Sequence, residues 1–273
     1  MRQLNRFLKH PMLYARTLYR ERGSSEGSIA VIVPAKNRAA YLEDAVESAI
    51  YQTRPPKEVY IILEPSTDGT ELVAESLAQQ FGEVRCIVNE TDRGVAQLRN
   101  QGIGAAASDY LMFLDSDDVL NPWYFEKVAA LLDQDAHVGV AYSDYLEFGE
   151  RSRVISLPPF DPRILLVDCI IMGCAMARRR ALEDAGGYDP NQIFEDWELW
   201  IRLIGKGWNA KGVRAPLYNY RVHSGTKDSL SNLRRVEGEH LIYMKHRGLY
   251  DKYGISRTSD GKWVNPPSYT LFR

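Results

Sequence analysis

Tyr110-Leu111-Met112-Phe113-Leu114-Asp115-Ser116-Asp117-Asp118 decides how this chain is read: five apolar residues run straight into three carboxylates within four positions. A short, continuous apolar run bounded by Asp109 and by this acidic cluster fits a strand buried on both faces of a parallel sheet. In such sheets ligands bind beyond the carboxyl ends of the strands, which is where Asp115, Asp117 and Asp118 fall. Carboxylates packed together raise one another's pKa unless a cation neutralises them, and an all-oxygen set suits Mg²⁺ or Mn²⁺. The plain alternative is a helix N-cap ahead of Pro122, supplied by Asp118 or Asn121, but capping needs one such residue and not three. Asp115, Asp117 and Glu126 also fall at the first, third and twelfth positions of a calcium loop. Val119 and Leu120 stand where that loop needs a ligand and a glycine, which excludes it.

Strand-like and helix-like patterns alternate on both sides of this run. Strands are expected at Ile29–Pro34, Val59–Leu63, Val84–Val88, Tyr110–Leu114 and Val138–Tyr142, and helices at Tyr41–Gln52, Thr70–Phe81, Val95–Ala107 and Pro122–Asp133. Repeated β-α units of this length predict an α/β protein with a doubly wound, mostly parallel sheet and right-handed crossovers. Beyond Tyr142 the regularity weakens. Leu157-Pro158-Pro159 marks a loop, Cys169–Ala177 reads as a strand, and Glu195–Gly205 reads as a helix with Trp197, Leu199, Trp200, Leu203 and Ile204 on its apolar side. Residues 247–273 show no clear period and are expected to form a tail that docks or stays mobile. The expected division is an arm over 1–28, a ligand-binding half over 29–142, a second half completing the cleft over 143–225, and a C-terminal helix and tail over 226–273.

A chain of 273 residues, 45% hydrophobic and 26% charged, can bury a substantial core. Its 34 basic and 36 acidic residues nearly cancel, so nothing global argues for a nucleic-acid partner. Cys86, Cys169 and Cys174 are odd in number and lack metal spacing, which fits buried thiols in a reduced, cytoplasmic setting. Cys169–Ala177 is too short to span a bilayer, and the N-terminus lacks the apolar region of a signal peptide. In the arm, Arg2, Arg6, Lys9, Arg16, Arg20 and Arg22 face the acid Glu21 and are interleaved with Leu4, Phe7, Leu8, Met12, Leu13, Leu18 and Tyr19. Two readings stay open: a basic segment on the inner face of the cell membrane, or a helix packed on its own domain or on a second subunit in a homodimer.

Polar stretches end the first two expected strands: Pro34-Ala35-Lys36-Asn37-Arg38 and Glu64-Pro65-Ser66-Thr67-Asp68-Gly69-Thr70. Both suit nucleotide binding at the lip of an α/β sheet, although turn and capping chemistry accounts for Asp68-Gly69. Gly102-Ile103-Gly104 imitates a dinucleotide fingerprint but lies inside a helix rather than after a strand, so a Rossmann cofactor site is rejected.

These stretches, with Arg99-Asn100, Phe113–Asp118, Gly186-Gly187-Tyr188-Asp189, and Glu195-Asp196-Trp197-Glu198-Leu199-Trp200-Ile201-Arg202, come in an order and spacing that resembles the family 2 glycosyltransferases over residues 29–225. The resemblance implies a GT-A fold, a Rossmann-like sheet with a C-terminal acceptor-side half. It implies that Pro34, Ala35, Asn37 and Arg38 touch the base of a nucleotide, that Glu64 hydrogen-bonds it, and that Arg99 helps to hold the nucleotide. Asp115 would lie by the ribose, Ser116 would belong to the nucleotide-sugar site, and Asp117, within the DXD motif, would bind the metal beside the diphosphate. Asp118 would be structural. Asp196 matches the family's general base, Glu195 and Trp197 its acceptor side, and His223 a C-terminal loop residue that reaches the diphosphate or the metal.

The chemistry those residue types allow is coherent. A sugar leaving a nucleoside diphosphate passes through an oxocarbenium-like transition state, and a divalent ion stabilises the departing charge. A carboxylate that deprotonates the attacking hydroxyl from the opposite face inverts the anomeric centre. Taken without the resemblance, Asp196 is equally an N-cap, His223 a satisfied surface or core residue, and the tryptophans core aromatics. Glu64-Pro65 departs from the family's usual acidic turn. The sequence reads as an inverting, metal-dependent (Mn²⁺ or Mg²⁺) transferase using a nucleoside-diphosphate sugar, UDP-sugar favoured, on a glycan or lipid-linked acceptor in polysaccharide biosynthesis. A catalytically silent nucleotide-sugar-binding scaffold is the alternative. A nucleotidyltransferase is less favoured, because Pro34–Arg38 is not Gly-rich.

Overall fold

The structure is a computed structural model and describes residues 26–223 and 234–268. All seven residues of β1 (Ile29–Ala35) are buried, because both faces of the strand are covered. Ala30 and Ile32 enter one apolar cluster, while Ile29, Val31 and Val33 enter another. β2 (Glu58–Leu63) and β4 (Tyr110–Phe113) flank β1 in parallel, and β3 (Val84–Val88) adds beyond β2. The connections carry α1 (Leu42–Ile50), α2 (Thr70–Gln80) and α3 (Val95–Ala105). The chain steps outward from β1 to β3 and returns to the far side of β1 for β4. That leaves a topological switch point between the carboxyl ends of β1 and β4, the crevice where α/β sheets bind ligands.

The elements expected over 29–142 are present, and short β5 (Val119–Leu120) precedes α4 (Tyr124–Gln134). β6 (Val138–Gly149) runs well past the expected end at Tyr142, because β9 (Asn209–Val222) pairs in parallel along it from Val138 to Gly149. β7 (Arg153–Ile155) folds back on β6 as a hairpin. Among the described residues the strands form one large sheet in the order β3-β2-β1-β4-β8-β6-β9-β5, where β8 (Met176–Arg178) is antiparallel to β4 and β6. The strand expected over Cys169–Ala177 is corrected: strand begins only at Met176. Ile170 and Ile171 are fully buried in the preceding loop, so the apolar run records burial and not extension.

α5 (Pro162–Val167), α6 (Arg179–Ala185) and α7 (Glu195–Gly205) cover the sheet in the second half. Of the two expectations for the C-terminal stretch, the structure follows docking as far as residue 268. α8 (Arg235–Lys245) and α9 (Arg247–Lys252) lead into the hairpin of β10 (Ser256–Arg257) and β11 (Trp263–Val264). Trp263 stacks on buried Tyr250 at 5.4 Å between ring centroids. Among the described residues no helix is long and apolar enough to cross a membrane. The amphipathic stretch of the arm lies outside the described residues.

Gly102 explains the false dinucleotide signal. A Cβ there would lie 2.4 Å from Ile32 Cγ2, so the glycine lets α3 sit directly on β1. Alanine favours a helix by about 1 kcal/mol over glycine, but overpacking costs about 1–3 kcal/mol. A 2.4 Å approach to the buried centre of the sheet lets the steric effect win. Gly102→Ala is expected to lower the midpoint of thermal unfolding; an unchanged or higher midpoint would show that α3 can shift at no cost.

Candidate active site

The two lip loops are tied to each other. Asn37, at φ 52°, donates its amide to Ser66 Oγ (3.1 Å) and accepts the Thr67 amide on Oδ1 (2.9 Å). The Arg38 amide reaches Thr70 Oγ1 (2.7 Å), and the Ala39 amide reaches Asp68 Oδ2 (3.0 Å). Burial pushes the Asp68 carboxyl up, but the hydrogen bonds from Thr70 and Ala39 outweigh it and hold it below its ordinary value. Pro34 and Ala35 belong to the buried strand, in register with Ile62 and Leu63. Glu64 is buried, and its Oε1 accepts the amides of Arg93 and Gly94 at 2.6 Å each. The extra methylene of Glu thus reaches the turn that starts α3.

Beyond β4 the acidic loop separates its carboxylates by role. Asp118 is 1% exposed; its Oδ1 accepts the Arg221 amide at 2.6 Å and its Oδ2 accepts the Tyr218 hydroxyl. Burial, then the charges of Asp115 and Asp117, hold its carboxyl well above the ordinary value. Arg221 lies between the rings of Tyr41 and Phe148, at 4.8 and 4.6 Å from their centroids, pairs with Asp44, and donates Nε–H to the Asp117 carbonyl at 2.6 Å. Asp117 keeps partial exposure, with Oδ2 3.0 Å from both Arg38 Nε and His223 Nε2. Ser116 is buried between them in sequence.

Asp115, Asp118 and Cys174 bring one ligand atom each within 4.8 Å of one another. That trio does not suit Mg²⁺ or Mn²⁺, because both Asp118 oxygens are engaged and burial pushes the Cys174 thiol well up. Asp117 and His223 fit better. Asp117 Oδ2 and His223 Nε2 lie 3.0 Å apart in a hydrogen bond with each other, and Asp117 stays partly exposed, so an ion bound by the pair would take the place of that bond.

Across the cleft, the first turn of α7 carries Glu195, Asp196 and Glu198, a favourable place for carboxylates beside the helix N-terminus. Asp196 Oδ1 accepts the Trp197 amide at 2.8 Å from within the first turn; the N-cap position itself is Phe194, with no side-chain cap hydrogen bond, so Asp196 is not the N-cap. Burial first, then the neighbouring Glu195 charge, lifts its carboxyl to about 6, with Arg99 pulling the other way. The residue nonetheless retains some solvent exposure. Gly173 closes on it: a Cβ there would lie 2.9 Å from Asp196 Oδ2.

Arg99 joins the two sides. Its NH2 meets Asp115 Oδ1 at 3.0 Å and its NH1 meets Glu195 Oε1 at 2.9 Å, while the guanidinium lies 5.3 Å from the Tyr188 ring centroid. Asn100 next to it holds both main-chain groups of Tyr188, at 2.7 and 2.8 Å. A Cβ at Gly187, where φ is +74°, would lie 2.5 Å from Asn100 Oδ1. Three sequence motifs that looked separate therefore meet at α3. One acceptor-side expectation is corrected: Trp197 is 3% exposed and donates its indole N–H to the Leu165 carbonyl, because aromatics at helical spacing here face the core. Sequence reasoning gave no role to Tyr41, Gly173, Tyr218 or Arg221.

A switch-point crevice with an acidic loop on one lip and an acidic helix start on the other is the architecture of a GT-A glycosyltransferase. The chain belongs to glycosyl transferase family 2, whose family model matches residues 30–186. It is a glycosyltransferase and thus an enzyme. EpsE of Bacillus subtilis (strain 168) is 27% identical over 235 residues, 83% of this chain and 84% of EpsE. The UDP-Glc:alpha-D-GlcNAc-diphosphoundecaprenol beta-1,3-glucosyltransferase WfaP of Escherichia coli is 28% identical over 204 residues, 72% of this chain and 78% of WfaP. S. aureus TarS, crystallised with UDP-GlcNAc, superimposes with a TM-score of 0.63 at 21% identity over 73% of this chain and 60% of that one. The chain spans 39% of a longer TarS chain. The mannosyltransferase PcManGT from Pyrobaculum calidifontis, in complex with GDP-Man and Mn²⁺, gives 0.62 at 19% over 87% of this chain and 72% of that one. At these identities the two solved structures show the fold alone.

Proposed function

We propose that this glycosyltransferase moves a sugar from a nucleoside-diphosphate sugar, UDP-sugar favoured, to a hydroxyl of a glycan or lipid-linked glycan, with inversion. The observation that carries this reading is the Asp115–Arg99–Glu195 bridge, at 3.0 and 2.9 Å, which sets the acidic loop and Asp196 on the two lips of one crevice. Asn37, Arg38, Glu64 and Asp115 face the nucleotide, and Asp117 and His223 would hold the divalent ion, Mn²⁺ or Mg²⁺. Bound there, the ion would supply positive charge to offset that of the departing diphosphate. Asp196 takes the proton of the acceptor hydroxyl as its oxygen bonds to the anomeric carbon and the bond to the diphosphate breaks. The name of WfaP, a glucosyltransferase acting on a diphosphoundecaprenol-linked sugar, supports a lipid-linked acceptor. Such an acceptor fits a cytoplasmic enzyme at the inner membrane face, touching it through residues 1–28; a homodimer is the other use of that arm.

The test is calorimetric binding of UDP, GDP, dTDP and CDP with and without Mn²⁺, followed by turnover with sugars of the nucleotide that binds. Metal-dependent binding of one nucleotide with turnover is the expected result. Binding without turnover on any acceptor would favour the silent scaffold, and no metal-dependent binding would sink the donor site.

A further inference from the structure

We propose that Arg99 is a positioning residue that locks the donor-side loop to the helix bearing Asp196, acting through Asp115 and Glu195 rather than by touching the nucleotide. The inference rests on the function proposed above. Arg99 is 4% exposed, and its two terminal nitrogens already hold carboxylates on opposite lips of the crevice. Its Nε is buried with no hydrogen-bond partner among the described residues, and the Tyr188 ring covers the guanidinium. Two of its five N–H groups are held by these carboxylates, and at 4% exposure the side chain offers a substrate little surface to touch. What it does supply is a rigid fork: one planar group fixes two carboxylates at once, which a lysine ammonium on a flexible stem cannot do. Its footing is also fixed, because Asn100 pins Tyr188 from the same helix.

The electrostatics agree with the geometry. Facing Asp196 are Glu195 and the Trp197 amide from its own helix, Arg99 from α3, Asp115 from the acidic loop, Cys169 from the loop before β8, and Tyr188 from the turn after α6. Among these, Arg99 is the cation. Removing it leaves Asp115, Glu195 and Asp196 to repel one another, which raises the Asp196 carboxyl and lets α7 drift from the loop. Removing Glu195 acts in the opposite direction.

The experiment measures kcat against pH and UDP affinity for wild type, Arg99→Gln, Arg99→Lys and Glu195→Gln. Arg99→Gln is expected to move the acidic limb of kcat up by ~0.5–1 pH unit and to lower kcat at pH 7 about tenfold or more. UDP affinity should stay within about twofold. Arg99→Lys restores the limb but not kcat, and Glu195→Gln moves the limb to lower pH. Loss of UDP binding in Arg99→Gln with an unmoved limb overturns the proposal. If Arg99→Gln does not fold, Glu195→Gln decides, since a limb that stays or rises is incompatible with the linkage. Asp196→Asn separates the two layers. Wild-type turnover in that variant sinks the base assignment itself, whereas an inactive Asp196→Asn beside an unmoved Arg99→Gln limb sinks only the role of Arg99.

Discussion

Asp196→Asn is expected to lower kcat by ~10²–10⁴-fold, the range set by losing a positioned general base. Nucleotide binding should be retained, and the protein should unfold at a higher temperature near neutral pH. The first part follows from position: Asp196 opens α7 across the crevice from the acidic loop, and an amide cannot accept the acceptor's proton. The second follows from the proton linkage. Burial and Glu195 raise the carboxyl to about 6 in the folded protein, above the ordinary value of about 3.9. The folded state therefore binds this proton more tightly than the unfolded chain. Stability falls as pH rises from about 4 through about 6, and above that the charged Asp196 costs the fold ~1–3 kcal/mol. Asparagine removes the charge and with it that cost. The same shift gives the wild-type rate profile its sign: the base works deprotonated, so kcat rises as pH climbs through about 6. Calorimetric unfolding and kcat against pH for the two proteins check both halves. An inactive variant that is also less stable would mean that the charged carboxylate, attracted by Arg99, supports the fold rather than costing it.

How much of this was legible beforehand depended on what kind of signal each residue carries. β1, β2 and β4 were legible because strands buried on both faces read as unbroken apolar runs, and α1 to α4 because each packs one face on the sheet. Past Tyr142 the signal failed for a physical reason. β9 interleaves Lys211, Arg214 and Asn219 and buries only Ala210, Leu217 and Tyr218, so its extended form depends on pairing with β6 and not on its own sequence. The Cys169–Ala177 run failed in the converse way, being apolar because it is buried under the site while its backbone is mostly loop. Within the site, carboxylates crowded in sequence were readable. The Arg99 bridge was not, because it joins residues 16 and 96 positions apart that meet only in the folded chain.

Chelating divalent cations and substituting Asp117→Asn are expected to give one phenotype, a loss of nucleoside-diphosphate affinity of ~10²-fold or more with little change in stability. A loss of that size corresponds to about 2.7 kcal/mol, within the several kcal/mol that a cation supplies to a diphosphate. The loop should keep its shape in both cases, because its anchors are elsewhere. Arg221 holds the Asp117 carbonyl and not its side chain, and Asp118 is fixed by the Arg221 amide and the Tyr218 hydroxyl. Asp117→Asn also relieves repulsion on Asp118, whose carboxyl the Asp117 charge pushes upward. Asp118→Ala should fail differently. It strands a buried amide and a buried hydroxyl at ~1–3 kcal/mol each, so unfolding should come at a markedly lower temperature, and any loss of binding should follow from the displaced loop. Titrations of UDP with Mn²⁺ and with chelator, paired with thermal unfolding of the two variants, separate these roles. If Asp117→Asn bound UDP as tightly as wild type in Mn²⁺, the cation would have to sit elsewhere. If chelation left wild-type binding intact, Arg38 and His223, which already flank Asp117 at 3.0 Å, would be left as the cationic partners of the diphosphate.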